Sequence, residues 1–222
     1  MSDGEIHVGT SGWHYDHWRG PFYPEDADSE TYLSRYVEVF ATVEINTSFY
    51  HLPERETLER WTEVAPEGFV FAAKASRYIT HMKKLKDPAE PVARFFGRME
   101  ALGGKLGPVL FQLPPNWHRN LERLERFLDV LPEDRRCAFE FRDASWWDSD
   151  TFALLENRGV AHCLYDVAGQ GPPRVVTTDF AYIRFHGATD TYRGRYRPKD
   201  LAGWAGACAS WARSGRDVYV YL

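Results

Sequence analysis

Eight short runs of β-branched and aromatic residues recur along the chain, and segments of helical period lie between most of them. The runs are Ile6–Gly9, Thr42–Asn46, Phe69–Ala75, Val109–Leu113, Cys137–Arg142, Val160–Tyr165, Ala181–His186 and Val218–Leu222. Alternation of strand and helix implies a parallel sheet with helices packed over it. The pattern inside the strands narrows the choice further. Val43 and Ile45 alternate with Glu44 and Asn46, and Phe71 and Ala73 with Ala72 and Lys74. Phe111 and Leu113 alternate with Leu110 and Gln112, Phe139 and Phe141 with Glu140 and Arg142, and Ile183 and Phe185 with Arg184 and His186. Side chains alternate across a strand, so each of these five has one wholly apolar face. The other face collects its polar groups at the C-terminal end. An open doubly wound sheet and a closed barrel both use parallel strands. Eight strands of this pattern favour a TIM-type (β/α)8 barrel of the α/β class, with helices weak or missing after strands 6 and 8. Its apolar outer faces meet the helices, and its inner polar residues converge at the C-terminal mouth.

The helical segments are read in the same way. Tyr32, Leu33, Tyr36, Val37 and Phe40 share a face, with Ser29 placed to cap it, and Leu58 and Trp61 mark a shorter helix. Val92, Phe95, Phe96, Met99 and Leu102 follow Asp87-Pro88 and stop at Gly103-Gly104. Leu121, Leu124, Leu128 and Leu131 repeat the period. Phe152 and Leu155 do so more weakly before Gly159, and Leu201, Trp204, Cys208 and Trp211 again after Pro198. Val167–Pro173, rich in Gly and Pro, reads as a loop.

The 222 residues contain no repeat, low-complexity tract or Ser/Gly linker, so residues 1–222 are expected to form one domain. Twenty-seven Lys and Arg against 32 Asp and Glu give a net charge of −5, which argues against wholesale binding to nucleic acid or anionic lipid. No apolar run approaches the roughly 18 residues of a membrane span. The N-terminus lacks the basic-then-apolar order of a secretory signal. Three separated cysteines make no disulfide framework, and Cys137, Cys163 and Cys208 read as core thiols. A reducing cytoplasm is the expected location.

The predicted mouth holds Glu44, Asn46, Lys74, Gln112, Glu140, Arg142, Arg184 and His186. Three cations (Lys74, Arg142, Arg184) against two carboxylates (Glu44, Glu140) leave +1. Such charges must pair, because desolvation costs several kcal/mol per ion. An ion-pair lattice is therefore the plain alternative to a site, though the two are compatible. As a site, Glu140 or Glu44 with His186 supplies an acid/base pair. Lys74 neutralises developing negative charge or serves as a base beside cationic neighbours. Arg142 and Arg184 offer forks for carboxylate or phosphate, while Asn46 and Gln112 orient polar groups. Asp166, after strand 6, is a further substrate-binding candidate. So are three aromatics, Trp13, Tyr15 and Trp146, from a rim that also includes Trp18, Phe22, Tyr23, Tyr50, Trp147, Tyr192 and Tyr196. The alternative for these rings is a satellite core under long loops. Arg193, Arg195, Arg197 and Lys199 form a basic loop suited to phosphate contacts, or else a solvated flap.

Glu44, Glu140, Asp166 and His186 are of metal-ligand type, but three cations on the same face oppose a divalent ion, so no cofactor is assigned and a divalent metal stands as the alternative. His14 and His17 fall in a loop whose spacing defines no common face. Gly9-Thr10-Ser11-Gly12 lacks the spacing of a P-loop or dinucleotide fingerprint and reads as a turn whose hydroxyls border the mouth. No Gly-x-Ser-x-Gly elbow exists.

Gly9-Thr10-Ser11-Gly12-Trp13, Thr42 through Tyr50, Phe69 through Lys74, Leu106 through Pro115, Phe139-Glu140-Phe141-Arg142 with Ser145-Trp146-Trp147, and Tyr182 through Gly187 together resemble the YecE-like family, a domain of unknown function. Their order and spacing match over nearly the whole chain. The resemblance implies a TIM-type barrel and a largely bacterial and archaeal family. It implies no reaction. Family members typically continue past the last strand with a Phe-Asn-Asn segment, whereas this sequence stops at Tyr221-Leu222, which suggests truncation at the C-terminus.

The expected function is acid–base catalysis, hydrolase- or isomerase-like, on a polar, anionic substrate bearing phosphate, carboxylate or sugar. The rival is a non-catalytic module that captures nucleic acid or a metabolite at the same mouth, and a third reading is a barrel acting through an interaction surface. No membrane partner is expected, and no feature indicates an oligomeric state.

Overall fold

A computed structural model of the chain describes residues 2–190 and 193–222. Tyr192, placed on the rim by its sequence position, lies outside them. Eight parallel strands run Ile6–Gly9 (β1), Thr42–Ile45 (β2), Val70–Lys74 (β3), Leu106–Gln112 (β4), Cys137–Glu140 (β5), Ala161–Asp166 (β6), Phe180–Phe185 (β7) and Asp217–Tyr221 (β8). They pair in the order β1-β8-β7-β6-β5-β4-β3-β2. The two ends of that series meet at one parallel bridge between Ser11 and Glu44, with Glu44 N donating to Thr10 O at 3.0 Å. Gly9 makes this near-closure sterically feasible. A Cβ there would lie 2.2 Å from the Thr42 carbonyl oxygen, so any other residue would push β1 from β2. Gly107 does the same between β4 and β3, where a Cβ would lie 2.3 Å from Val70 Cγ1 and the ladder shifts register. β4 begins at Leu106, three residues before the strand read from sequence, Val109–Leu113.

The helices are Tyr32–Tyr36 (α1), Thr47–Tyr50 (α2), Arg55–Val64 (α3), Ala89–Met99 (α4), Leu121–Leu128 (α5), Ser149–Asn157 (α6) and Pro198–Arg213 (α7). Asp28, rather than Ser29, caps the entry to the first of them. Its carboxylate accepts from Glu30 N at 3.1 Å and opens a 3-10 turn, Ser29–Thr31, that leads into α1. Asn120 and Asp148 cap α5 and α6 in the same manner. Residues 167–179 join β6 to β7 without a helix, as the Gly/Pro-rich sequence implies. A π-helical turn, Tyr78–Met82, follows β3 and has no signal in the apolar period.

The strand parity read from sequence sorts the interior from the exterior. Phe71, Val109, Phe111, Phe139 and Phe141 point outward and pack with Leu58, Phe95, Met99, Leu124 and Phe127 of the helices. Ile183, Val218 and Val220 meet Trp204, Cys208 and Ala212 of α7. Inside, Ala72, Leu110, Ala138, Ala161 and Cys163 face Phe180, Tyr182, Tyr219 and Tyr221. Large rings from β7 and β8 thus fill the space left by alanines on β3, β5 and β6. Burying each large apolar side chain contributes on the order of 2 kcal/mol. The filled centre leaves only the ends of the barrel for chemistry.

Candidate active site

At the C-terminal end, chain-distant polar groups close into one network. Arg184, near the end of β7, spans the barrel. Its Nη2 donates to Glu44 Oε1 of β2 at 2.7 Å, and its Nη1 to Glu140 Oε2 of β5 at 2.8 Å. Glu44 Oε1 also accepts from Ser11 Oγ at 2.9 Å, and its Oε2 from the Tyr182 hydroxyl at 2.7 Å. The other oxygen of Glu140 accepts from Arg142 Nε, and Arg142 Nη2 approaches His186 Nε2 at 2.7 Å. The same Nε2 lies 3.6 Å from Glu140 Oε2. Glu44 and Glu140 are fully buried, and Arg184 and His186 nearly so. Arg184 Nε is buried without a partner among the described residues.

Lys74, the last residue of β3, shares this cup but not its bonds. Its ammonium sits 4.2 Å from the centre of the Phe49 ring and makes no hydrogen bond or ion pair among the described residues. Burial lowers its pKa, and the charge of Arg184 lowers it further. Glu44 and Glu140 only partly oppose them, and the result is about 8. Burial also lowers His186, with the Glu140 carboxylate opposing and the two arginines reinforcing. For Glu140, burial alone would raise the pKa. Arg184 and Arg142, helped by His186, outweigh it and hold the carboxyl well below its ordinary value.

These directions redistribute the roles read from sequence. Glu140 is locked in its ionised form, so it fixes the arginines rather than carrying a proton near neutrality. Lys74 and His186 remain as the groups able to change charge there.

Beside the network a cleft of about 450 Å³ opens between Gln112, Arg142, Trp147, Tyr165 and Gln170. The Arg142 guanidinium lies 4.5 Å from the centre of the Tyr165 ring. Arg142 therefore belongs both to the lattice and to the cleft wall.

Glu44, Lys74, Glu140, Arg142, Arg184 and His186 are brought together as the parity requires, with Gln112 at the cleft edge. Asn46 is half-buried at the start of α2 and does not cap it with its side chain. Tyr15 hydrogen-bonds through its hydroxyl to the Ser11 carbonyl, next to Glu44's partner. Asp166 is not in the lattice. Tyr165 and Cys163 take the inward parity of β6, so Asp166 turns away, accepting from Gly169 N at 3.1 Å with the Tyr196 hydroxyl at 2.9 Å.

Two aromatic expectations are corrected. Trp13 is buried edge-on against Trp61, with ring centres 4.8 Å apart. Trp146 is fully buried, stacked on Phe141, with Nε1 donating to the Trp117 carbonyl at 2.7 Å. Both rings cover outward strand faces, and neither lines the cleft. Its neighbour Trp147 lines the cleft instead. In the basic loop, Arg197 turns back onto Asp200 at 2.7 Å and caps α7, leaving Arg193, Arg195 and Lys199 exposed.

Sequence reasoning did not single out Tyr165, Tyr182 or Phe49. The two tyrosines share the inward parity of Cys163 and Arg184, so alternation could have found them. Phe49 lies on α2, too short to carry a period.

The family model for the protein of unknown function DUF72 matches residues 7–222. The chain belongs to this family. The UPF0759 protein YunF of Bacillus subtilis is 26% identical over 248 residues, covering 97% of this chain and 87% of that protein. The UPF0759 protein YecE of Escherichia coli K12 is 30% identical over 156 residues, 70% of this chain but 55% of YecE. The crystal structure of a DUF72 family protein from Thermotoga maritima superposes with a TM-score of 0.88 at 28% identity, covering 98% of this chain and 91% of that one. A DUF72 family protein from Enterococcus faecalis superposes with a TM-score of 0.75 at 18% identity, a likeness of fold. DUF72 membership thus agrees with the barrel and brings no reaction with it.

Among the described residues no helix is long and apolar enough to cross a membrane. Nor, among them, does any group of three or more His, Cys, Asp or Glu side chains come together as a metal cage. Of the carboxylates that sequence offered as ligands, Glu44 accepts from Arg184, Ser11 and Tyr182, Glu140 from Arg184 and Arg142, and Asp166 from Gly169 N and Tyr196.

Proposed function

We propose that this DUF72 barrel is an enzyme that performs acid–base chemistry, of the hydrolase or isomerase type, on a small anionic substrate held at its C-terminal mouth. One observation carries the reading. Among the described residues Lys74, Arg142 and Arg184 are opposed in the network by Glu44 and Glu140, whose oxygens are already engaged by Arg184, Arg142, Ser11 and Tyr182. A buried cup with one uncompensated positive charge gains most from an anion that supplies the missing counter-charge. Arg142, which reaches the cleft, and Gln112 receive the anionic group. Lys74 and His186 exchange protons with the substrate, and Glu44 and Glu140 hold Arg184 and Arg142 in place.

The test is thermal unfolding in the presence of malonate and of inorganic phosphate. Ligand that binds only the folded state raises the midpoint with concentration. At least one of these anions is expected to stabilise the protein, and Arg142→Met to abolish the response. A wild-type midpoint that ignores both anions would overturn the reading.

A further inference from the structure

Lys74 is the member of the mouth whose surroundings ion pairing does not explain. An ammonium kept inside a protein for stability normally sits against a carboxylate, because leaving it unpaired costs several kcal/mol. Two buried carboxylates stand in the same cup, yet every close contact they make goes to other donors. Lys74 is set instead over the Phe49 ring, and His81 lies edge-on to the same ring with centres 5.0 Å apart. The guanidinium charges of Arg184 and Arg142 act on it from the cup. Burial and the cationic neighbours favour the uncharged, nucleophilic form of the amine, against the attraction of the ring face for the ammonium. Only 8% of the residue's surface is open.

We propose that Lys74 is a carbonyl-reactive amine that forms an imine with a short aldehyde or ketone carrying a carboxylate or phosphate, the anionic group being held by Arg142. The inference rests on the anion-binding reading of the mouth and names its substrate class. The neutral amine attacks the carbonyl carbon, and a C–N bond forms as the C=O electron pair moves to oxygen. Both amine protons pass to that oxygen, which leaves as water when C=N forms. No oxidant or reductant is needed. Protonated, the imine draws electrons from the adjacent carbon, whose proton His186 is suited to accept.

The experiment incubates the native protein with glyoxylate and cyanoborohydride at about pH 7.5, where exposed lysines are almost wholly protonated. The reductant delivers hydride to any imine and leaves a carboxymethyl mark, which peptide mapping locates among the six lysines. Lys74 is expected to be marked at least about tenfold faster than exposed Lys84, Lys86 and Lys199, and malonate is expected to slow Lys74 alone. If Lys74 reacts no faster than those three while malonate still raises the unfolding midpoint, the imine is overturned and the anion site stands. If Lys74 reacts as fast with neutral propanal and malonate has no effect, the anionic class falls, and the reading beneath it falls too.

Discussion

The barrel carries ionic groups at both ends, and the two ends are built differently. At the N-terminal floor, Arg136 Nη1 donates to Asp217 Oδ2 at 2.6 Å and to the Tyr219 hydroxyl at 3.0 Å, while Nη2 reaches Asp179 at 3.3 Å. His7 stacks on Tyr219 with ring centres 4.8 Å apart. There one guanidinium faces two carboxylates, and its side chain is 36% exposed. At the mouth, three cations face two carboxylates, and both carboxylates are fully buried. The floor leaves its charges to water and pairs them simply. The mouth buries both carboxylates and leaves one cation, Lys74, without an ion pair among the described residues. By this count each end carries one excess charge, −1 at the floor and +1 at the mouth, but the floor's groups stay in contact with water while the mouth's carboxylates are fully buried, so the excess costs more at the mouth.

The largest effect should come from cutting the clamp that crosses the mouth. Arg184→Met leaves Glu44 and Glu140 buried without their shared partner, and a loss of about 3–5 kcal/mol is expected in denaturant unfolding at neutral pH. A midpoint near that of the wild type would show that the clamp contributes little, and the contrast between the ends would weaken.

Removing the unpaired cation should act in the opposite direction. Lys74 has a pKa of about 8 when folded and an ordinary value of 10.5 when unfolded. Between those values the unfolded chain binds more protons, so this group makes stability rise with pH. At pH 7, below both, the full penalty applies, corresponding to roughly 3 kcal/mol. Lys74→Met is therefore expected to be more stable than the wild type at pH 7, with the gap closing as pH rises from about 8 to 10.5. Urea melts of the two proteins across that range read the difference directly. A variant less stable at pH 7 would mean that the ammonium is well accommodated.

The smallest effect belongs to the floor. Arg136→Met removes a partly exposed pair and is expected to cost about 1 kcal/mol or less, an amount that added salt should reduce further. A cost approaching that of Arg184→Met would erase the distinction between the ends.

Much of this was legible beforehand, and the reasons are specific. Val43/Glu44, Phe139/Glu140 and Ile183/Arg184 alternate so plainly that inside and outside could be assigned residue by residue. The glycines and prolines of Val167–Pro173 likewise announced a connection without a helix. The rim was harder. Trp13 and Trp146 follow strands, as rim residues do, but a large ring buries itself wherever an outward strand face offers an uncovered neighbour. Phe71 and Phe141 offered those faces, and nothing local in the sequence says which loop ring will cover them. Asp166 was ambiguous for a related reason: at a strand end, one step of register separates the cup from the loop behind it.

Period-two patterning determined the barrel, the inward set and the end at which that set collects, because side-chain alternation is a consequence of covalent backbone geometry and needs no knowledge of distant residues. Only the tertiary structure decided which donor meets which acceptor. Arg184 takes both carboxylates, Asp166 leaves the cup, and Lys74 is left facing an aromatic ring. Those outcomes depend on ångström-scale distances between groups far apart in the chain, and electrostatic and hydrogen-bond energies turn on such distances.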